Sequence, residues 1–168
     1  LDATREVFSA LCDHIDNLDI TPLETEVRKA GERLVRACDK YLQRYDPPAA
    51  VIFGTSAYAG FAAESLVRYL DADIAAIGTR TEPAPGRFPA EKVTGFSRAR
   101  EIVGQHTPDL IIGSSFERTL SPDAAFVGLT PPLRGQVRLH ANPICGTEGT
   151  LSFMESVLNV CIDRVRHT

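Results

Sequence analysis

The sequence predicts an α/β fold: a doubly wound, mainly parallel, four-stranded Rossmann-like sheet with flanking helices and an N-terminal helical segment. Three observations predict it. Short apolar runs recur at Ala49–Phe53, Asp73–Ile77, Asp109–Ile112 and Ala124–Leu129, the pattern of parallel strands buried on both faces. Segments of helical periodicity alternate with these runs. Each run leaves through a turn of small, polar or proline residues, as strands do before a crossover.

Leu1 to Tyr45 is helical in character. Asp2 is placed to cap a first helix, with Val7, Leu11 and Ile15 on one face. Asp19-Ile20-Thr21-Pro22 breaks it, and Thr21 with Pro22 makes an N-cap and N1 pair, Glu24 following as the capping-box acid. A second helix then runs to about Tyr45, its apolar stripe being Val27, Leu34, Ala37, Cys38 and Leu42, and Asp46-Pro47-Pro48 ends it. Residues 1–46 therefore read as a helical segment and 47–168 as the α/β domain.

Within that domain the first strand turns at Gly54-Thr55-Ser56 into a helix from Tyr58 to Leu70, with Phe61, Ala62, Leu66, Tyr69 and Leu70 inward. The second strand follows, and then a stretch from Thr81 to Glu91, rich in Pro and Gly, that reads as an exposed loop. A helix spans Phe96 to His106, ahead of the third and fourth strands. Leu133 to Ile144 is an irregular excursion, and Thr147 to Arg166 a long final helix.

Size and charge exclude several classes. The 168 residues suffice for one well-packed domain. The formal net charge is −4 and no basic run or stripe exists, which argues against nucleic acid as a partner. No apolar stretch approaches the roughly 20 residues that cross a bilayer, so no membrane association is expected. Four scattered cysteines without a CxxC read as reduced thiols of a cytoplasmic protein, with Cys12, Cys38 and Cys161 as packing residues. The chain starts at Leu1 without methionine, so it is expected to be processed or a piece of a longer multidomain subunit.

Ligands on such sheets sit beyond the strand C-termini. That edge carries Gly54-Thr55-Ser56, Gly78-Thr79-Arg80, Gly113-Ser114-Ser115 and Pro131-Pro132-Leu133. The first turn fails the dinucleotide pattern, because Ser56 and Ala59 stand where glycines are needed. Neither a GxxxxGK[ST] loop nor a GxSxG elbow is written, and no two histidines share HxxxH spacing.

Two loops remain as candidates. Gly113-Ser114-Ser115-Phe116-Glu117-Arg118 brings Ser114, Ser115 and Arg118 to the ligand edge, where they can hold an anionic group or a partner loop. The alternative is that Ser114 or Ser115 caps a short helix. Cys145 follows Pro143 and precedes Gly146 at the mouth of a helix, where a thiolate is favoured and a soft metal can be ligated. His140, five residues upstream, reaches the same area if the loop folds back. The alternative for Cys145 is packing beneath the loop.

PDLIIGSSFER, LTPPLRGQVRL and NPICGTEGTLSFMESVLN, in this order, resemble the C-terminal domain of nitrogenase component 1-type proteins. That superfamily includes nitrogenase α and β subunits, cofactor-scaffold proteins and dark-operative protochlorophyllide reductase-like subunits. LDATREVF and VIFGTSAYAGFAAESLVRYL are similar to its upstream segments, so the resemblance covers nearly the whole chain. Thr147 stands where the family usually has an aromatic, and Cys145 where the nitrogenase α subunit has a metal-ligating histidine.

The resemblance implies one wall of a metal-cluster or tetrapyrrole cavity in ATP-dependent reductive electron transfer. It makes Cys145 the candidate metal ligand and adds Glu148, in the Gly146-Thr147-Glu148-Gly149 motif, to Ser114, Ser115, Arg118 and His140 as candidate cofactor contacts. It implies an iron–sulfur cluster, an iron-containing cofactor or a tetrapyrrole in the full assembly, none within this segment alone, which is expected to be inactive by itself. The implied partners are a homologous component 1 subunit and an ATP-dependent iron–sulfur reductase. A non-catalytic cofactor-binding or scaffold module is the alternative, and a purely structural domain a third reading.

Overall fold

The computed structural model describes residues 1–15, 19–135 and 144–167. Its elements run α1 (Asp2–Cys12), α2 (Thr21–Leu42), β1 (Ala49–Gly54), α3 (Ser56–Leu70), β2 (Asp73–Thr79), β3 (Glu91–Lys92), α4 (Phe96–His106), β4 (Leu110–Gly113), β5 (Ala125–Gly128) and α5 (Gly146–His167). All strand pairs are parallel, in the order β3-β2-β1-β4-β5. The α/β class and the parallel sheet are as the sequence predicts, with one strand more than the expected four. The extra strand is β3, two residues at the end of the segment read as loop, paired with Gly78 and Thr79.

Helices cover both faces. On one, α2, α3 and α5 pack Leu34, Cys38, Tyr41, Leu66, Leu70, Met154 and Val157 against Ala50, Ile52, Leu110, Ile112 and Val127. On the other, α4 sets Ala99, Ile102 and Val103 against Val51, Phe53 and Ile111. The alternating strand residues thus serve two cores, which is why these strands read as unbroken apolar runs. Gly78 is required by this packing: a Cβ there would lie 2.7 Å from the Phe53 ring.

The helical segment departs from the expected details. Asp2 is the first residue of α1 and caps nothing; its carboxylate pairs with Arg68 of α3. Val7, Leu11 and Ile15 are exposed, and α1 buries no residue. In α2 the N-cap is Ile20, and Asp19 accepts the Thr21 N–H at 3.0 Å. The helix ends at Leu42, short of Tyr45, and its stripe buries Ala30 and Tyr41 while Ala37 is exposed. In α3 the helix starts at Ser56, two residues before Tyr58, because Thr55 caps it with its hydroxyl on the Tyr58 N–H.

Among the described residues no helix is long and apolar enough to cross a membrane.

Candidate functional site

β1 leads through α3 to β2 on one side, and β4 lies on its other side. The chain direction across the sheet therefore reverses between β1 and β4, and ligands bind in the crevice beyond such a switch point. A cleft of about 710 Å³ opens there. Gly54, Thr55 and Tyr58 line it from β1 and α3, Arg80 from β2, Thr94 and Phe96 from the start of α4, Ser114, Phe116 and Glu117 from β4, and Thr130-Pro131-Pro132 from β5. The Pro131–Pro132 peptide is cis.

The polar floor is built from the Ser-x-x-Glu sequence after β4. Ser114 donates its N–H (2.8 Å) and hydroxyl (2.6 Å) to Glu117 Oε2, and its Oγ accepts the Phe116 N–H at 3.3 Å. This is capping-box chemistry around the short 3-10 turn Glu117–Thr119. Glu117 is 1% exposed. Its other oxygen receives the Arg80 guanidinium, which also donates to the Val93 carbonyl at 3.0 Å. A buried carboxylate needs such compensation, and here a cation and two neutral donors provide it. Gly113 makes room for it: a Cβ would sit 3.0 Å from Glu117 Oε2.

Ser115 serves a different purpose. Its N–H donates to the Pro132 carbonyl at 2.8 Å, and its Oγ both accepts the Arg134 N–H and lies 3.2 Å from the Arg134 carbonyl. It thereby stitches the β4 and β5 exit loops together. Arg118 is exposed, does not line the cleft, and sets its guanidinium 5.8 Å from the Phe126 ring centroid.

The α5 N-terminus reaches the same edge of the sheet. Near the other end of α5, Arg164 pairs with Asp109, just ahead of β4, at 2.7 Å. The helix therefore runs antiparallel to the strands, and its start lies at their C-terminal edge. Thr147 is buried and donates its hydroxyl to the Glu26 carboxylate of α2. Thr147 thus ties α5 to α2. Gly149 lets Ile144 approach: a Cβ would lie 2.5 Å from the Ile144 carbonyl carbon.

Cys145 and Glu148 are exposed, and Gly146 between them takes φ +74°. His140 lies outside the described residues. Among the described residues no three His, Cys, Asp or Glu side chains are grouped to hold a metal ion. Cys145 therefore offers one soft donor, and these residues form no metal site by themselves.

Cys38 and Cys161 are buried. Burial pushes Cys38 and Cys161 up to about 11. Burial likewise raises Tyr41, which hydrogen-bonds Cys161.

Ser114, Ser115 and the β1 turn were visible as ligand-edge residues in the sequence. Arg80 stands with them in the Gly78-Thr79-Arg80 turn; its pairing with Glu117 is what the sequence does not show, although Ser114-Ser115-Phe116-Glu117 has the capping-box spacing that marks a Glu folded back on its own loop.

The sequence matches the family described as nitrogenase component 1 type oxidoreductase over residues 1–162. The chain belongs to this family. Among solved structures, one titled "Nitrogenase Cp1 at pH 6.5" superposes with a TM-score of 0.79 at 19% identity, over 99% of this chain and 39% of that one. At this identity the likeness shows a shared fold. The chain spans well under half the length of that nitrogenase protein. A search of curated proteins finds no match to the sequence.

Proposed function

We propose that this nitrogenase component 1-type chain is the C-terminal domain of a longer oxidoreductase subunit, and that it forms one wall of a metal-cluster or tetrapyrrole cavity used in ATP-dependent reductive electron transfer. The family match over residues 1–162 carries the reading. The switch-point cleft and the α5 N-terminus support the placement, since both open on the C-terminal edge of the sheet.

In this reading an iron–sulfur cluster, an iron-containing cofactor or a tetrapyrrole sits against that edge, and the bound group supplies the electron-transfer chemistry. The chain's own contribution is a preorganised wall. Ser114 and Glu117 fix the β4 loop, Ser115 locks it to the β5 loop, and Thr147 anchors the α5 start. Cys145 offers one thiolate toward a metal whose other donors come from elsewhere in the assembly, with Glu148 and His140 as neighbours in sequence. A homologous component 1 subunit and an ATP-dependent iron–sulfur reductase complete the machine in the cytoplasm. The isolated domain is inactive.

A second reading keeps the cleft and drops the turnover: a scaffold that holds a cofactor or tetrapyrrole. It is favoured by a cleft in which the Ser114 hydroxyl and the Glu117 carboxylate are already engaged within the chain.

The test uses the full-length protein purified anaerobically, assayed for iron and extractable tetrapyrrole, then mixed with its iron–sulfur reductase and ATP. The enzyme reading predicts bound iron or tetrapyrrole and ATP-dependent oxidation of the reductase. Cofactor binding without that oxidation favours the scaffold. Neither iron, tetrapyrrole nor electron acceptance contradicts both.

A further inference from the structure

The helix α2 carries its unpaired charge along one line. Lys29, Arg33, Arg36 and Lys40 follow one another at intervals of four, three and four residues, which a helix stacks on a single outer face. All four are exposed, and none has a hydrogen-bond or ion-pair partner among the described residues. The acids beside them, Glu26 and Glu32, are engaged with Thr147 and Arg28. No two of the four cations are adjacent in sequence, so the stripe exists only once α2 is formed, and it corrects the expectation of none. Like charges at this spacing destabilise a helix by themselves.

Beside it, α5 carries the opposite charge. Glu148, Glu155 and Asp163 lie seven and eight residues apart, two turns each time, and are exposed. They too have no partner among the described residues. The two helices are neighbours on one face of the sheet. Glu26 meets Thr147 near their starts, and Tyr41 meets Cys161 near their ends. They therefore run in the same direction, and Glu155 stands level with the Arg33–Arg36 turn. The partly buried Leu151, Leu158 and Ile162 flank the α5 acids and add apolar surface.

We propose that this two-helix face docks a second copy of the chain, with α2 of one copy lying over α5 of the other. A two-fold axis parallel to the helices makes that contact twice, cation over acid on both sides. An axis across the helices lays α2 on α2 and α5 on α5, and is repelled. The charge pattern thus selects one orientation, which is what charge contributes to an interface more than affinity. A nucleic-acid duplex or an anionic membrane presents one sign only, and its approach to α2 meets the α5 acids one helix spacing away, about 10 Å. A second copy carries both signs. The proposal specifies the face by which the partner subunit of the reading above docks, and takes from that reading only that the partner is homologous.

The test is charge-swap complementation in the full-length protein, read by sedimentation velocity. One variant reverses α2 (Lys29→Glu, Arg33→Glu, Arg36→Glu, Lys40→Glu) and the other α5 (Glu155→Lys, Asp163→Lys). Each alone sets like charge against like across the two-fold, and is expected to raise the concentration at half-assembly by at least about tenfold. Mixed one to one, the two present acid to base on both sides and are expected to regain an assembly of wild-type size. Raising NaCl from about 0.05 M to about 0.5 M is expected to weaken the wild-type assembly. Arg87→Gln/Arg100→Gln, which removes two exposed cations elsewhere, is expected to leave it unchanged. Circular dichroism checks folding. If the α2 reversal does not fold, Arg33→Gln/Arg36→Gln is expected to weaken assembly in the same direction. A wild-type monomer, assembly indifferent to both reversals, or a mixture that stays dissociated overturns the proposal. Binding of a duplex of about 20 base pairs, or of phosphatidylserine vesicles, that the α2 reversal abolishes also overturns it and gives the stripe to a polyanion. No metal, reductase or turnover enters this readout. Its failure beside intact electron acceptance removes the docking face and leaves the proposed function standing.

Discussion

A carboxylate taken out of water at a strand end persists only where its charge and lone pairs are met, and Glu117 shows how much of that is local. The Ser114 contacts arise three residues away and were readable as a Ser-x-x-Glu pattern; Arg80, 37 residues away, was not. Glu117→Ala would leave a buried N–H, a hydroxyl and a guanidinium short of an acceptor. A loss of about 1–3 kcal/mol is expected in urea denaturation, and Glu117→Gln, which keeps an acceptor for Ser114, should lose less. The cysteines make the same point. Four isolated thiols look alike in sequence, yet Cys145 is exposed while burial holds Cys38 and Cys161 at about 11. In the 168-residue chain, iodoacetamide near pH 8 should label Cys145 and spare Cys38 and Cys161 until the protein unfolds, as mass spectrometry of the alkylated peptides would report. A thiol raised in the fold keeps its proton there longer than in the unfolded chain. Stability from these two groups is therefore complete below the ordinary thiol range and lost as pH rises through it toward about 11.

Elements long enough to repeat their pattern were legible: the strands β1, β2, β4 and β5 and the helix α4 stand where apolar runs and periodicity put them. β3 has two residues and no period to read, so only its pairing to β2 reveals it. The first helix has a clear apolar face, but periodicity does not say what covers a face, and on α1 that face is exposed. What ties α1 to the domain includes the Asp2–Arg68 pair, and the Arg68 hydrogen bond holds the Asp2 carboxyl below its ordinary range. That contribution is complete above the ordinary carboxylate range and disappears as pH falls through the lowered value. Arg68→Ala should speed amide exchange in α1 while leaving the β1 and β4 amides protected, since surface pairs contribute little to global stability. At the start of α5, helix propensity and packing oppose each other. Replacing Gly149 by Ala gains about 1 kcal/mol from propensity, but its Cβ would press to 2.5 Å from the Ile144 carbonyl carbon. Backbone cannot swing aside as a side-chain tip can, so Gly149→Ala should be destabilising by about 1–3 kcal/mol in thermal or urea unfolding.

At the scale of the whole molecule, the order β3-β2-β1-β4-β5 is what creates a site. The sheet winds outward in both directions from β1 and β4, and the exit turns of β1, β2, β4 and β5 converge on one cleft. The alternation of strands and helices made that edge predictable, because each apolar run ended in a turn at the same side of the sheet. Which residues face the cleft was less predictable, because Phe96 reaches it through the path of the chain into α4. Membership of the nitrogenase component 1-type family and the position of this cleft together underlie the claim that the domain is a cavity wall. Hydrogen–deuterium exchange of the full-length protein tests that claim most directly, comparing the anaerobically isolated form with one stripped of bound groups by chelator and apolar resin. The account predicts that bound cofactor protects the segments Gly54–Tyr58, Gly113–Arg118 and Gly128–Arg134 and leaves the opposite edge, Asp46–Pro48 and Asp109, unchanged. Protection confined to that opposite edge, or identical exchange in both forms, would contradict it.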